Sequence, residues 1–313
     1  VIPAGQPIPP AFVTRNGGQL SQTFVGFNTF GAISACEGSS WTDTQMDAYF
    51  GALPANGLTR VWCFPGTSLA DADRLVAAAH SAGQHLILTL DNDFGDCTTG
   101  GNKTNTYYTS GYQTALIPWA QGVAARYRSS PAIALYEVIN EAGQSRGADN
   151  VLSGSTMKAY YQAVASAIKA VDPHHLVGTG DAAEYLYVGG QSGYQTAASA
   201  PAIDVLSLHD YESDWIDPAP VLSSHWTPCK AAANALAKPI IVGEINDGLS
   251  HFTDARARAS SVTTSMRQYL AAGAGAALVW NWTYTDGSYD PDYSIVPTDP
   301  MVAAVAGMTA LRK

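Results

Sequence analysis

Charge is what this sequence has least of. Only 13% of its 313 residues are Asp, Glu, Lys or Arg, about half the usual share, while 46% are hydrophobic, which excludes a disordered chain. Positive charge is the scarcer sign: 16 Lys+Arg stand against 26 Asp+Glu, a net charge of −10. A field of that sign repels phosphate backbones and anionic lipid, so no nucleic-acid or membrane partner is expected. No apolar run reaches the roughly 20 residues of a membrane span. Cysteine is sparse as well. Cys36, Cys63, Cys97 and Cys229 lie far apart with no CxxC pair, which fits neither a disulfide scaffold nor a zinc site; one or two disulfides remain open, and four cysteines allow three full pairings. No GxSxG elbow occurs, so a serine esterase has no support. The chain starts at Val1, not methionine, and no charged-then-apolar targeting pattern follows. With few charges, abundant Ser, Thr and Gly and 16 tyrosines, it reads as the mature part of a secreted protein.

Buried-strand runs and helical patterns alternate throughout. Eight strands are predicted at residues 24–30, 58–64, 85–92, 133–141, 176–181, 203–211, 239–246 and 276–282, each apolar enough to be buried on both faces. Helices are predicted at 43–53, 69–82, 113–127, 157–170, 227–237, 255–272 and 301–311, and the Gly-rich stretch 185–200 gives the weakest one. Thr42 with Asp43 opens the first helix, Gly83 and Gly273 close others, and Asp172-Pro173 ends the one before the fifth strand. Eight such units predict a (β/α)8 TIM barrel. The competing doubly wound sheet needs a nucleotide loop, and Gly178-Thr179-Gly180-Asp181-Ala182-Ala183 fits that fingerprint only loosely. Residues 12–21 carry Asn16-Gly17-Gly18, a short N-terminal β-hairpin signal. No linker or repeat interrupts the pattern, so residues 1–313 read as one domain, and as a monomer.

A barrel of this kind works at the carboxyl ends of its strands, and here those ends are polar. Arg60 lies on the second strand, Asp91-Asn92-Asp93 ends the third, Asn140-Glu141 the fourth, His209-Asp210-Tyr211 the sixth and Glu244-Ile245-Asn246 the seventh, while Trp280 lies on the eighth. Glu141 and Glu244 are the sharpest signal. A carboxylate ending a buried strand costs several kcal/mol unless paired, and the fourth and seventh strands face each other across the mouth. Two carboxylates about 5–5.5 Å apart are what retaining glycoside hydrolysis requires.

These residues carry a family resemblance over nearly the whole chain. Asn140-Glu141 and Glu244 resemble the catalytic pair of the (β/α)8 glycosidase clan that includes glycoside hydrolase family 5. The finer pattern is similar to its β-mannanases and endoglucanases: residues 12–17, Gly26-Phe27-Asn28, Arg60-Val61-Trp62, the run 88–94, His209-x-Tyr211 and Trp280. The resemblance implies that Glu141 is the general acid/base and Glu244 the nucleophile, with Asn140 on the sugar 2-hydroxyl. It implies that Arg60 and Tyr211 hold Glu244 ionised, that Asn92 supports the site, that His209 lines a sugar subsite and that Trp280 is the stacking floor. Repulsion from Glu244 is expected to keep Glu141 protonated. The run Glu141-Ala142-Gly143-Gln144 departs from the family's proline and arginine, and Asp93 and Phe94 replace asparagine and tryptophan. These positions shape subsites, not the chemical step.

The expected partner is therefore a carbohydrate, β-mannan or β-glucan first, hydrolysed by double displacement. The alternatives are a catalytically inactive sugar-binding barrel and a clan relative acting on xylan, aryl glycosides or disaccharides. No cofactor or metal is expected. Asp91, Asp93 and Asp96, like Asp286, Asp290 and Asp292, miss the EF-hand spacing and read as solvated rim loops. Trp215 is the best additional sugar platform, whereas Trp119 reads as core. Glu137 shares strand parity with Glu141 and reads as a buried partner of Arg60 or of a neighbouring strand, not as catalytic. Glu184 reads as a substrate contact or a solvated side chain, and His174-His175 as structural.

Overall fold

The computed structural model describes residues 14–15, 19–20, 22–33, 40–54, 57–95, 101–143, 152–211, 222–284 and 291–308. The expected hairpin is present, with β1 (Thr14–Arg15) antiparallel to β2 (Gln19–Leu20). The eight strands of the barrel follow as β3 (Phe24–Asn28), β4 (Gly57–Trp62), β5 (His85–Thr89), β6 (Ile133–Glu137), β7 (Leu176–Gly178), β8 (Leu206–Asp210), β9 (Ile240–Ile245) and β10 (Ala276–Val279). They pair in the order β7-β6-β5-β4-β3-β10-β9-β8. A parallel bridge between Gly178 and Val205 closes the ring, and Thr179 N donates to Val205 O across it at 3.1 Å. The fold is a (β/α)8 TIM barrel.

The outer helices are α1 (Asp43–Ala52), α2 (Leu69–Ser81), α3 (Tyr112–Ala115), α4 (Ile117–Tyr127), α5 (Gly154–Val171), α6 (Gln191–Ala198), α7 (Trp226–Ala235), α8 (Ala255–Ala271) and α9 (Pro300–Ala306). Their starts follow the sequence. Thr42 makes a reciprocal capping box with Gln45, and Ser68, Ser153, Asp254 and Asp299 each accept from a backbone N–H of the first turn. Gly83 and Gly273 follow helix ends at φ 66° and 100°, where a side chain would be strained. The single helix predicted at 113–127 is in fact two, α3 and α4, preceded by a π turn (Tyr107–Gly111). The break falls where Pro118 enters the first turn of α4, because proline has no N–H to continue the ladder. The stretch 185–200 resolves into a 3₁₀ turn (Glu184–Leu186) and α6.

Alternation along the strands divides the barrel interior into two levels. Phe24, Leu58, Ile87, Leu135, Leu176, Val205, Ile241 and Leu278 form an apolar cluster inside the ring. Two residues further along several strands, the same inward direction is taken by polar residues: Arg60 after Leu58, Thr89 after Ile87 and Glu137 after Leu135. The larger core lies between sheet and helices and holds Trp41, Trp226 and Trp282, with Trp119 packed against it. Cys63 and Cys229 are buried free thiols, so no arrangement with two disulfides forms; Cys36 and Cys97 lie outside the described residues.

Candidate active site

Strand register sets the polar level. Asn28 lies opposite Arg60, and Thr89 opposite Glu137. The β8–β9 ladder slips between Leu208 and His209, so His209 lies opposite Glu244 and not Gly243, the kind of re-aiming that bulges produce beside functional sites. Beyond β6 the ladder is reduced to an isolated parallel bridge between Asn140 and Asn92, with Asn140 N donating to Asp91 O at 2.8 Å and Glu141 N to Gly180 O at 2.9 Å. That explains why the predicted fourth strand reached Glu141 while the regular ladder stops at Glu137. Glu141 itself has φ 52°, a left-handed conformation that costs about 1 kcal/mol or more in a non-glycine residue.

Arg60 is the hub. It is 1% exposed and donates through Nη1 to Glu244 Oε1 at 2.5 Å and to Asn28 Oδ1 at 3.0 Å, through Nη2 to Asn140 Oδ1 at 2.7 Å, and through Nε to Glu137 Oε1 at 2.7 Å. The reading of Glu137 as its buried partner holds. Tyr211 Oη donates to the other oxygen of Glu244 at 2.6 Å. His209 Nδ1 lies 2.8 Å from Glu141 Oε1 and 3.6 Å from Glu244 Oε1. One oxygen of Glu141, one of Glu244 and a nitrogen of His209 all lie within 4.8 Å of one another. This is the one group among the described residues with donors placed for a cation. The guanidinium on Glu244 would repel a cation there, which fits acid–base work better than ligation.

Burial dominates the electrostatics. It raises Glu141 to about 7, against the opposing pull of Arg60 and with help from Asp93 and Glu137. Repulsion from Glu244, the cause expected from the resemblance, is not among the leading ones. Burial also raises Glu244 above the usual carboxylate range, because desolvation outweighs His209, Arg60 and the Tyr211 hydrogen bond. The expectation that Arg60 and Tyr211 hold it ionised is met in contact and direction but not in net effect. His209 is pushed down to about 4, first by burial, so it stands neutral beside Glu141.

The remaining candidates sort by position. Asn92 accepts from Asn140 Nδ2 at 3.0 Å and donates to Gly95 O at 2.8 Å, so it supports the site through Asn140. The His209 side chain is 1% exposed and lies against both carboxylates. Trp280 joins Phe30, Trp62 and Phe64 in an aromatic cluster against which Tyr211 and Tyr293 pack; Phe30 stacks on it at 5.3 Å, covering one face. Trp215 lies outside the described residues, as do Asp96, Asp286 and Asp290. Asp91 and Asp93 are not solvated rim acids: both are buried, Asp91 against Lys103 at 3.1 Å and the Tyr107 hydroxyl, Asp93 against the Tyr108 hydroxyl at 2.5 Å. Glu184 is not a solvated side chain; it holds His225 Nδ1 at 2.8 Å and the Cys229 thiol at 3.3 Å. His175 is structural as expected, its Nδ1 2.6 Å from Asp172. Sequence reasoning gave no role to Asn28, Thr89 or Phe30. Asn28 and Thr89 carried the same signal as Arg60, a polar residue near the end of a buried strand; Phe30 carried none.

Residues 36–286 match Cellulase (glycosyl hydrolase family 5). A probable mannan endo-1,4-beta-mannosidase F of Aspergillus flavus is 27% identical over 289 residues, which cover 77% of this chain and 60% of that protein. The chain therefore spans less than two thirds of that relative's length. An endo-1,4-beta-mannanase structure from Rhizomucor miehei aligns with a TM-score of 0.72 at 22% identity, covering 95% of this chain and 97% of that one. A hyperthermostable endo-1,4-beta-D-mannanase from Thermotoga petrophila aligns with the same TM-score of 0.72 at 18% identity, covering 91% and 98%. Likeness at that identity speaks for the barrel alone. The family match covers most of the chain: the chain belongs to glycosyl hydrolase family 5.

Proposed function

We propose that this chain hydrolyses β-1,4-linked mannan with retention of anomeric configuration, as a secreted, monomeric enzyme whose 313 residues form one domain. The observation that carries the mechanism is the placement of carboxylate oxygens of Glu141 and Glu244 within 4.8 Å of each other. Retaining glycosidases hold their two carboxyls about 5–5.5 Å apart, whereas inverting ones need about 6.5–9.5 Å to admit a water. In this reading Glu141, protonated up to about pH 7, gives its proton to the departing glycosidic oxygen. Glu244 attacks the anomeric carbon, its oxygens oriented by Arg60 and Tyr211. Water then cleaves the glycosyl-enzyme, with ionised Glu141 taking the water's proton. Asn140 has one amide hydrogen on Asn92, which leaves the other for the sugar 2-hydroxyl.

Mannan as the substrate rests on the relatives, whose names specify mannan endo-1,4-beta-mannosidase. The test is hydrolysis of a panel of β-mannan, β-glucan and xylan, with the anomer of the first product followed by NMR. Mannan is expected to be cleaved fastest, with the β-anomer appearing first. Glu141→Gln and Glu244→Gln are each expected to lower kcat by about 10³-fold or more. Near-wild-type rates in both variants would overturn the catalytic assignment, and initial release of the α-anomer would overturn retention.

A further inference from the structure

Beneath the two carboxylates lies a third acid that the proposed reaction does not touch. Glu137 ends β6, four residues before Glu141, and is 1% exposed. Its Oε1 accepts from Arg60 Nε at 2.7 Å and Thr89 Oγ1 at 2.9 Å, and Arg60 Nη2 lies 2.5 Å from the same oxygen. The opposite side of the guanidinium is 2.5 Å from Glu244. One fixed positive charge thus serves two buried carboxylates. The charged and titratable groups facing this cluster are Arg60 on β4, Asp93 after β5, Glu141 after β6, Asp181 after β7, His209 on β8, Tyr211 after β8 and Glu244 on β9. Among the described residues, no lysine and no second arginine pairs with Glu137, Glu141 or Glu244.

Charge counting then constrains the proton. With Glu137 and Glu244 both ionised, these two carboxylates and Arg60 sum to −1. Ionising Glu141 as well would put a second uncompensated charge in a water-poor pocket, where like charges cannot both persist. If Glu137 carried no charge, Arg60 would serve Glu244 alone and Glu141 would ionise with less opposition. We propose that Glu137 is a positioning residue that, by occupying one side of Arg60, keeps one proton on Glu141 and leaves Glu244 incompletely neutralised for attack; this deepens the acid/base and nucleophile assignment above and rests on it. The Glu137 and Asp93 charges both act to raise Glu141, behind burial as the first cause.

The test is the pH profile of kcat/KM for Glu137→Gln on an unactivated manno-oligosaccharide, with thermal melting as the control for folding. The acid/base group must be protonated to start the reaction, so its ionisation forms the alkaline limb. Removing the Glu137 charge is expected to move that limb toward acid by about one pH unit, and Glu137→Asp, which keeps the charge, is expected to restore most of it. A folded Glu137→Gln that loses rate while its alkaline limb stays in place would overturn the proposal. A second measurement needs no change at Glu137: infrared spectra of protein labelled with ¹³C-glutamate. A protonated-carboxyl band near pH 6 is expected in the wild type and should vanish in Glu141→Gln. Its persistence there would place the proton on another glutamate and equally overturn the proposal. Activity of Glu141→Gln and Glu244→Gln separates the two levels of failure. If both variants remain active, the catalytic reading fails; if both are dead and the Glu137→Gln limb does not move, only the role of Glu137 fails.

Discussion

At the residue scale, burial rather than pairing sets the chemistry of this site. Glu141 and Glu244 are both raised by desolvation, although Arg60 and Tyr211 pull Glu244 the other way. The consequence is a bell displaced at both edges. In the proposed mechanism the acid limb belongs to Glu244, which must be ionised to attack, and lies above the ordinary glutamate range. The alkaline limb of that mechanism belongs to Glu141 and lies near pH 7, so kcat/KM on an unactivated substrate is expected to fall about tenfold per unit above it. A stopped assay across pH 4–9 checks this; a flat profile from pH 7 to 9 would show that Glu141 does not carry the transferred proton. An aryl glycoside with a good leaving group should lose much of this alkaline limb, because its departure needs little protonation. The pair itself was legible in the sequence, since a glutamate ending a buried strand stands out. The origin of its ionisation was not, because desolvation depends on what fills the surrounding space.

At the element scale, the site depends on how β6 and β7 finish. Gly180 has φ 84°, and a Cβ there would lie 1.9 Å from Ile139 O and 2.7 Å from Glu137 Cγ. Its carbonyl accepts from Glu141 N at 2.9 Å. Gly180→Ala is therefore strained twice, by backbone conformation and by collision with the segment that carries the acid/base. It is expected to lower stability by about 2–4 kcal/mol and to lower kcat more than it raises KM, read by thermal melting and steady-state kinetics. Wild-type stability and kcat together would show that the mouth yields at no cost. The sequence placed Gly178 and Gly180 inside the fifth predicted strand, 176–181. The positive φ was not readable there, since it arises from the chain leaving the ladder after Gly178. The slip between Leu208 and His209 was equally hidden, because a one-residue bulge does not disturb an apolar run.

At the scale of the whole molecule, low charge acquires a meaning. A net charge of −10 spread over a 313-residue chain offers nothing to steer the neutral polysaccharide of the proposed reaction, whose recognition would fall to hydrogen bonds and the aromatic cluster around Trp280. We expect kcat/KM on mannan to vary less than about twofold between roughly 0.02 and 0.5 M salt, because screening removes only long-range charge effects. A fall of tenfold or more would mean that charge steering contributes to binding. Two distinct apolar layers hold the site in place. One fills the barrel from Phe24 to Leu278, and the other wedges between sheet and helices, so the polar level above them is carried on a packed base.

The amino-acid sequence by itself determined the eight alternating units, the capped helix starts, the polar strand ends and the two glutamates. Each of these is a local pattern, set by the period of side-chain direction and by the cost of placing charge on a buried strand. Only the tertiary structure decided that Arg60 is shared by Glu137 and Glu244, that His209 bonds Glu141 from below and that Asp91 and Asp93 are buried against tyrosines. Those facts join residues far apart in the chain, and they exist only once closure of the barrel has excluded water and brought the strand ends to one mouth.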